Sequence, residues 1–257
     1  MTFGATPVLT IRVLPIGAEE AASAVTTWAA DGTGRVVCAA NVHMVMEAWD
    51  NPSFATTLDG ADLLVCDGRP LVWSCRLQGV RDARQSRGLD LMLAVCRLAA
   101  RRGLRVGLYG GEAAVADKVR RRLLARFPDL NLCHYWSPPF RPLSAREDDD
   151  AVATINAAGV QILLVGLGCP KQERWMMEHR ERLVCVMLGV GAAFDMVAGV
   201  MGIAPPWMQR TGLEWLFRLV HEPRRLWRRY FKHNGRFIVL TLLQLWRIAR
   251  GRTGHRF

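Results

Sequence analysis

The sequence predicts an α/β protein: a Rossmann-like, mainly parallel sheet with helices on both faces, followed by a C-terminal helical appendage that docks on a membrane. Three observations carry this expectation. Six apolar runs of strand length alternate with helix-length segments through the first two hundred residues. The runs are continuously apolar, as strands buried on both faces should be. After Gly199 the pattern changes to arginine pairs interleaved with apolar pairs.

The strand-like runs lie at 35–40, 62–66, 104–109, 130–135, 161–165 and 183–189, and helices are expected near 42–59, 69–78, 89–102, 113–127, 145–158 and 171–182. Residues 1–199 would form the enzyme-like core and residues 200–257 the appendage. Residues 224–231 read Arg-Arg-Leu-Trp-Arg-Arg-Tyr-Phe. On a helix this sets Leu226, Trp227, Tyr230 and Phe231 along one side and Arg224, Arg225, Arg228 and Arg229 on the other. The run 237–246 is apolar but too short to span a bilayer, so an interfacial or packing helix is expected.

Composition narrows the class. The chain has 257 residues and 51% are hydrophobic, which supports a sizeable core and excludes general disorder. Seven scattered cysteines without CxxC spacing suit buried thiols in a reducing compartment. The N-terminus has no basic stretch leading into an apolar one, so it does not read as a signal peptide. The net charge is +11, yet residues 210–257 hold twelve basic against two acidic side chains, leaving the rest close to neutral. The tail is therefore the cationic device.

In parallel sheets ligands bind beyond the carboxyl ends of the strands, so the residues after each run are the candidates. The first run ends at Asn41, a residue type that also caps helices. The second ends in Cys66-Asp67-Gly68, which would project the Asp67 carboxylate into the crevice beside Asn41. Arg81, Arg84 and Arg87 then precede a helix start, where guanidinium groups and free N–H groups can hold a diphosphate. Gly110-Gly111 permits close approach of backbone to a ligand. Gly168, Lys171, Gln172 and Glu173 open the helix after the fifth run, and Asp195 follows the sixth. Neither glycine group completes GxGxxG, so a nicotinamide oxidoreductase ranks third. The six histidines form no HxxxH or HxH pair, and Asp148–Asp150 reads as a solvated first helical turn, so no metal and no cofactor is expected.

In order, the segments NVHMVMEA, ADLLVCDGRPLVW, RGLDL, LYGGEAAVADKV, VGLGCPKQERWM, GVGAAFDMVAG and GLEWLFRLVHEPRRLWRRY resemble the WecG/TagA/CpsF family of bacterial glycosyltransferases. The resemblance implies an inverting, metal-independent enzyme at the cytoplasmic face of the inner membrane, attached peripherally. Its donor would be a UDP-sugar carrying glucose or N-acetylmannosamine. Its acceptor would be a saccharide linked to undecaprenyl diphosphate, lying at an anionic membrane surface. Asp67 matches the family's catalytic carboxylate, Asn41 the Asn of the first strand end, Gln172 the Gln of the PKQE block, and Asp195 the Asp near the nucleotide. Two positions depart. Ala39-Ala40 stands where a hydroxyl residue is frequent, and Gln85 stands where the family has arginine, so Arg84 or Arg87 must serve. The runner-up is a basic nucleic-acid-binding protein, because arginines among aromatics also suit phosphates and bases. That reading leaves the strand-end motifs without a role.

Overall fold

The computed structural model describes residues 4–251, the side chain of Arg225 excepted. The chain opens with an antiparallel hairpin, β1 (Thr6–Val8) and β2 (Ile11–Val13), followed by α1 (Ala18–Asp31). The central sheet then forms from β3 (Arg35–Ala40), β4 (Leu63–Cys66), β5 (Arg105–Gly110), β6 (Asn131–Trp136), β7 (Ile162–Gly166) and β8 (Val186–Gly189). All neighbours are parallel, in the order β4-β3-β8-β7-β5-β6. This is the parallel sheet that the apolar runs predict.

Side chains alternate across a strand, so a continuously apolar strand feeds two cores. In β3, Val36, Cys38 and Ala40 enter one core while Val37 and Ala39 enter the other. The first core is covered by α2 (Val42–Asp50), α3 (Pro52–Asp59), α4 (Arg69–Leu77), α7 (Ala145–Ala157) and α8 (Lys171–Glu178). The second is covered by α1, α5 (Gly88–Arg102), α6 (Ala113–Arg126) and α9 (Ala193–Val197).

The expected helix at 42–59 is two helices. Asn51 accepts hydrogen bonds from the N–H groups of Ser53 and Phe54, at 3.1 and 3.3 Å, and Pro52 starts the second helix. Proline cannot continue the first helix but fits the start of the next. The hairpin and α1 are elements that the apolar pattern did not announce. Strands of three residues leave almost no periodic signal, and α1 is patterned mainly in alanine.

Gly110, at the carboxyl end of β5, holds φ at +113°, and a Cβ there would meet the Gly166 backbone at 2.7 Å. Both strain and overpacking follow from any side chain. Gly110→Ala is expected to lower stability by about 2–5 kcal/mol, seen as a lower urea midpoint with an unchanged slope.

Beyond the sheet lie α10 (Pro206–Thr211), α11 (Glu214–His221) and one long helix, α12 (Pro223–Ala249). The two expected tail segments are thus continuous. On α12, Leu226, Tyr230, His233, Phe237, Thr241 and Gln244 turn toward the protein, at the three-and-four spacing of one helix face. Gln244 accepts from the Leu9 N–H at 3.1 Å and donates to Pro7 O at 3.2 Å, while Arg236 forks onto Asp50 at 2.6 and 2.9 Å. The tail is docked on α2 and the hairpin. The single side expected for Leu226, Trp227, Tyr230 and Phe231 is therefore divided. Leu226 is buried and Tyr230 half-buried, whereas Trp227 and Phe231 are exposed. Adjacent positions lie about 100° apart on a helix of 3.6 residues per turn, which is enough to separate an inner face from an outer one.

Candidate active site

Asp67 sits one residue past β4, anchored by its own N–H to Ala40 O at 2.8 Å. One carboxylate oxygen accepts the Gly88 N–H, the first residue of α5, at 2.9 Å. The Asn41 side chain donates to the same carboxylate, and its oxygen caps α2 by accepting from the Met44 N–H at 3.2 Å. Asn41 therefore does both jobs that its position allows. It ends β3 and starts α2, and it orients Asp67.

The arginine loop is tied to the same strand end. Ser86 N–H donates to Cys66 O at 2.8 Å and the Gln85 amide to Asp67 O at 2.6 Å. Gln85, standing where the family resemblance expects arginine, is thus a backbone brace for Asp67. Burial raises the Asp67 carboxyl above the ordinary carboxylate range. The Gly88 N–H and then Arg218, Asn41 and Arg87 pull the other way.

Arg218 and Glu214 come from α11, so the C-terminal helices contribute to this site. Glu214 is itself raised, by burial first and then by the charge of Asp67, with Arg87 and Arg218 opposing. Neither residue was singled out by sequence reasoning. Their four-residue spacing within the GLEWLFRLVHEP block was visible, but its position over Asp67 depends on how α11 folds back.

Beside this cluster lies a cavity of about 410 Å³ lined by Arg69, Arg76, Arg84, Arg87, Arg210 and the single acid Asp90, among others. Several of these guanidinium groups are committed. Arg87 forks onto Asp90 at 2.7 and 2.8 Å, Arg76 onto Ala83 O at 2.9 and 3.2 Å, and Arg69 donates to Gln209 O at 3.3 Å. Arg84 and Arg210 are exposed and have no acidic partner among the described residues. A cavity with surplus positive charge and two uncommitted forks suits an anion with several oxygens.

The residues expected around a nucleotide gather at the ends of β5, β7 and β8, and they divide. Gly168 faces open space with φ at +78°. Lys171 is exposed and borders a second cavity, of about 790 Å³, with Tyr109, Arg141 and Arg174. Gln172 and Glu173 are buried instead. Gln172 donates to Glu173 at 3.0 Å and accepts the Gly191 N–H at 3.0 Å, so it locks the loop after β8. Burial raises the Glu173 carboxyl. Gly111 packs against Phe194, and Asp195 is half-buried in α9. In the first turns of α7, Asp148 pairs with His179 at 2.9 Å and with Arg182, which also holds Asp149 at 2.6 Å. Those carboxylates are spent on ion pairs.

The fold and this site define an α/β protein whose ligand crevice, at the carboxyl edge of a parallel sheet, sets a partly desolvated carboxylate beside an arginine-rich cavity. Residues 6–251 match the model of the glycosyl transferase WecG/TagA/CpsF family. The chain belongs to that family, whose members are glycosyltransferases of cell-surface polysaccharide synthesis.

Proposed function

We propose that this protein transfers a hexose, of the glucose or N-acetylmannosamine type, from a UDP-sugar to a saccharide carried on undecaprenyl diphosphate, with inversion and without a metal at the diphosphate. The observation that carries this reading is the placement of Asp67 against the Gly88 N–H and Asn41, next to a cavity where Arg84 and Arg210 have no acid partners among the described residues. Asp67 takes the proton of the acceptor hydroxyl while that oxygen bonds to the anomeric carbon from the face opposite the departing diphosphate. The bond from the anomeric carbon to the diphosphate oxygen breaks, and UDP leaves with the electron pair. Arg84, with Arg87 and the N-terminus of α5, meets the charge that develops there. Lys171, Gly168 and Asp195 would lie toward the nucleotide. The test is a screen of UDP-sugars against short-chain lipid-diphosphate saccharides, reading released UDP. Release that depends on both partners supports the reading, and no release with any pair overturns it.

The same reading puts the protein at the cytoplasmic face of the inner membrane. No helix among the described residues is long and apolar enough to cross a membrane. The outer side of α12 nevertheless exposes Trp227, Phe231, Ile238, Leu242 and Trp246, and the preceding helices expose Trp207 and Val220. Arg224 and Arg228 are exposed on the same helix. Apolar insertion with cationic attraction suits an anionic bilayer surface, each basic residue adding about 1 kcal/mol. Joint replacement of Arg224, Arg225, Arg228 and Arg229 by Glu is expected to move most of the protein off anionic vesicles in co-sedimentation. Trp227→Ser with Phe231→Ser should make the remaining binding removable by salt alone. Binding equal to the unaltered protein in both variants would place attachment elsewhere.

A further inference from the structure

We propose that His43, Glu47 and His233 form a site for a divalent cation of the zinc type, and that the bound ion fastens α12 to α2. The inference stands on the geometry of these three side chains and does not depend on the transferase reading. His43 and Glu47 lie one turn apart on α2, and His233 faces them from α12. Nδ1 of His43 and Nε2 of His233 each lie 3.7 Å from the same Glu47 oxygen, and one ligand atom from each residue falls within 4.8 Å of the others. Zinc with ligands at about 2.0–2.2 Å sets neighbouring ligand atoms about 3.3 Å apart in a tetrahedron, so both histidines must draw in toward Glu47 by about 0.4 Å, and the two imidazole nitrogens, within 4.8 Å of each other, close to the same edge by side-chain rotation.

Two further observations point to a ligand. The Nδ1 atom of His43, the nitrogen that faces Glu47, is buried and makes no hydrogen bond among the described residues, and the His233 side chain is only 5% exposed. Such an orphaned nitrogen is costly unless something binds it. The His43 ring also lies against the backbone of Cys169. With the proton on Nε2, the Nδ1 lone pair is left toward Glu47. A histidine that donates its far N–H to a backbone carbonyl while its near nitrogen faces the ion is the usual arrangement around a bound metal. Lys232 is drawn away by Asp50, 3.5 Å distant, and Glu47 is 31% exposed, which leaves an entry path. Two imidazoles and one carboxylate make three ligands, with water as the fourth. The sequence hid this site because His233 lies 190 positions from His43, although the His43/Glu47 pair at one-turn spacing was present.

The experiment titrates Zn2+ into full-length protein stripped by chelator, against a chromophoric competitor, with hydrogen exchange of α12 recorded in parallel. One equivalent is expected to bind with a Kd below about 1 µM, and exchange over 228–240 to slow at least tenfold. Glu47→Gln, which keeps the shape, and His43→Ala should each weaken binding at least tenfold and abolish the slowing. His134→Ala, on β6, should change neither. Absence of one-equivalent binding, or binding unaltered in Glu47→Gln and His43→Ala, would overturn the site. Binding without slower exchange in α12 would overturn the fastening.

Discussion

Asp67→Asn is expected to lower kcat by about a hundredfold or more while leaving the fold and UDP binding intact. Asparagine keeps the shape of the residue and an oxygen for the Gly88 N–H, now 2.9 Å away, but it has no basic carboxylate to take a proton. Burial raises the Asp67 carboxyl, with Gly88, Arg218, Asn41 and Arg87 as opposing partners. The base works only when deprotonated, so the rate should rise with pH through the Asp67 pKa. Because that pKa is raised, the acid limb should lie above the ordinary value of about 3.9. In Asp67→Asn this limb should vanish. Released UDP measured across pH, with calorimetry for UDP binding, checks both parts. Turnover near that of the unaltered protein would remove Asp67 from the chemistry.

Arg84→Ala is expected to cost about a hundredfold in turnover, and Arg87→Ala clearly less. The difference rests on commitments within the site. Arg87 already forks onto Asp90 at 2.7 and 2.8 Å, whereas Arg84 lines the same cavity with no acidic partner among the described residues. Removing Arg84 takes away a charge-assisted donor for the leaving diphosphate. Removing Arg87 mainly frees Asp90, with a secondary effect through the loss of a charge near Asp67. Arg84→Lys should recover only part of the rate, because a point charge replaces the planar fork. The comparison is made on kcat and kcat/KM with a common UDP-sugar. A larger loss for Arg87→Ala would transfer the diphosphate role to that residue.

The apolar runs at 35–40 and 161–165 announced buried parallel strands because burial on both faces demands apolar residues at every position, and β3 and β7 are where they were expected. Asn41 and Asp67 were legible for the same reason. A polar residue ending such a run must leave the sheet at its carboxyl edge, where ligands lie. The net charge of residues 210–257 likewise separated the tail from the rest.

Sequence position could not show what each side chain would face once the helices packed. Gln172 and Glu173 read as ligands at the opening of a helix, yet packing of α8 under β8 turned both inward, where Gln172 holds Gly191. Glu214 and Arg218 read as part of a distant basic tail, and the return of α11 set them beside Asp67. His233 reached Glu47 only because α12 runs back along α2 and buries Phe237 and Leu226. Local pattern is set by which residues a strand or helix must bury, and it is written in consecutive positions. A site assembled from segments 147 to 190 residues apart has no such record, because its partners are chosen by the direction in which whole elements pack.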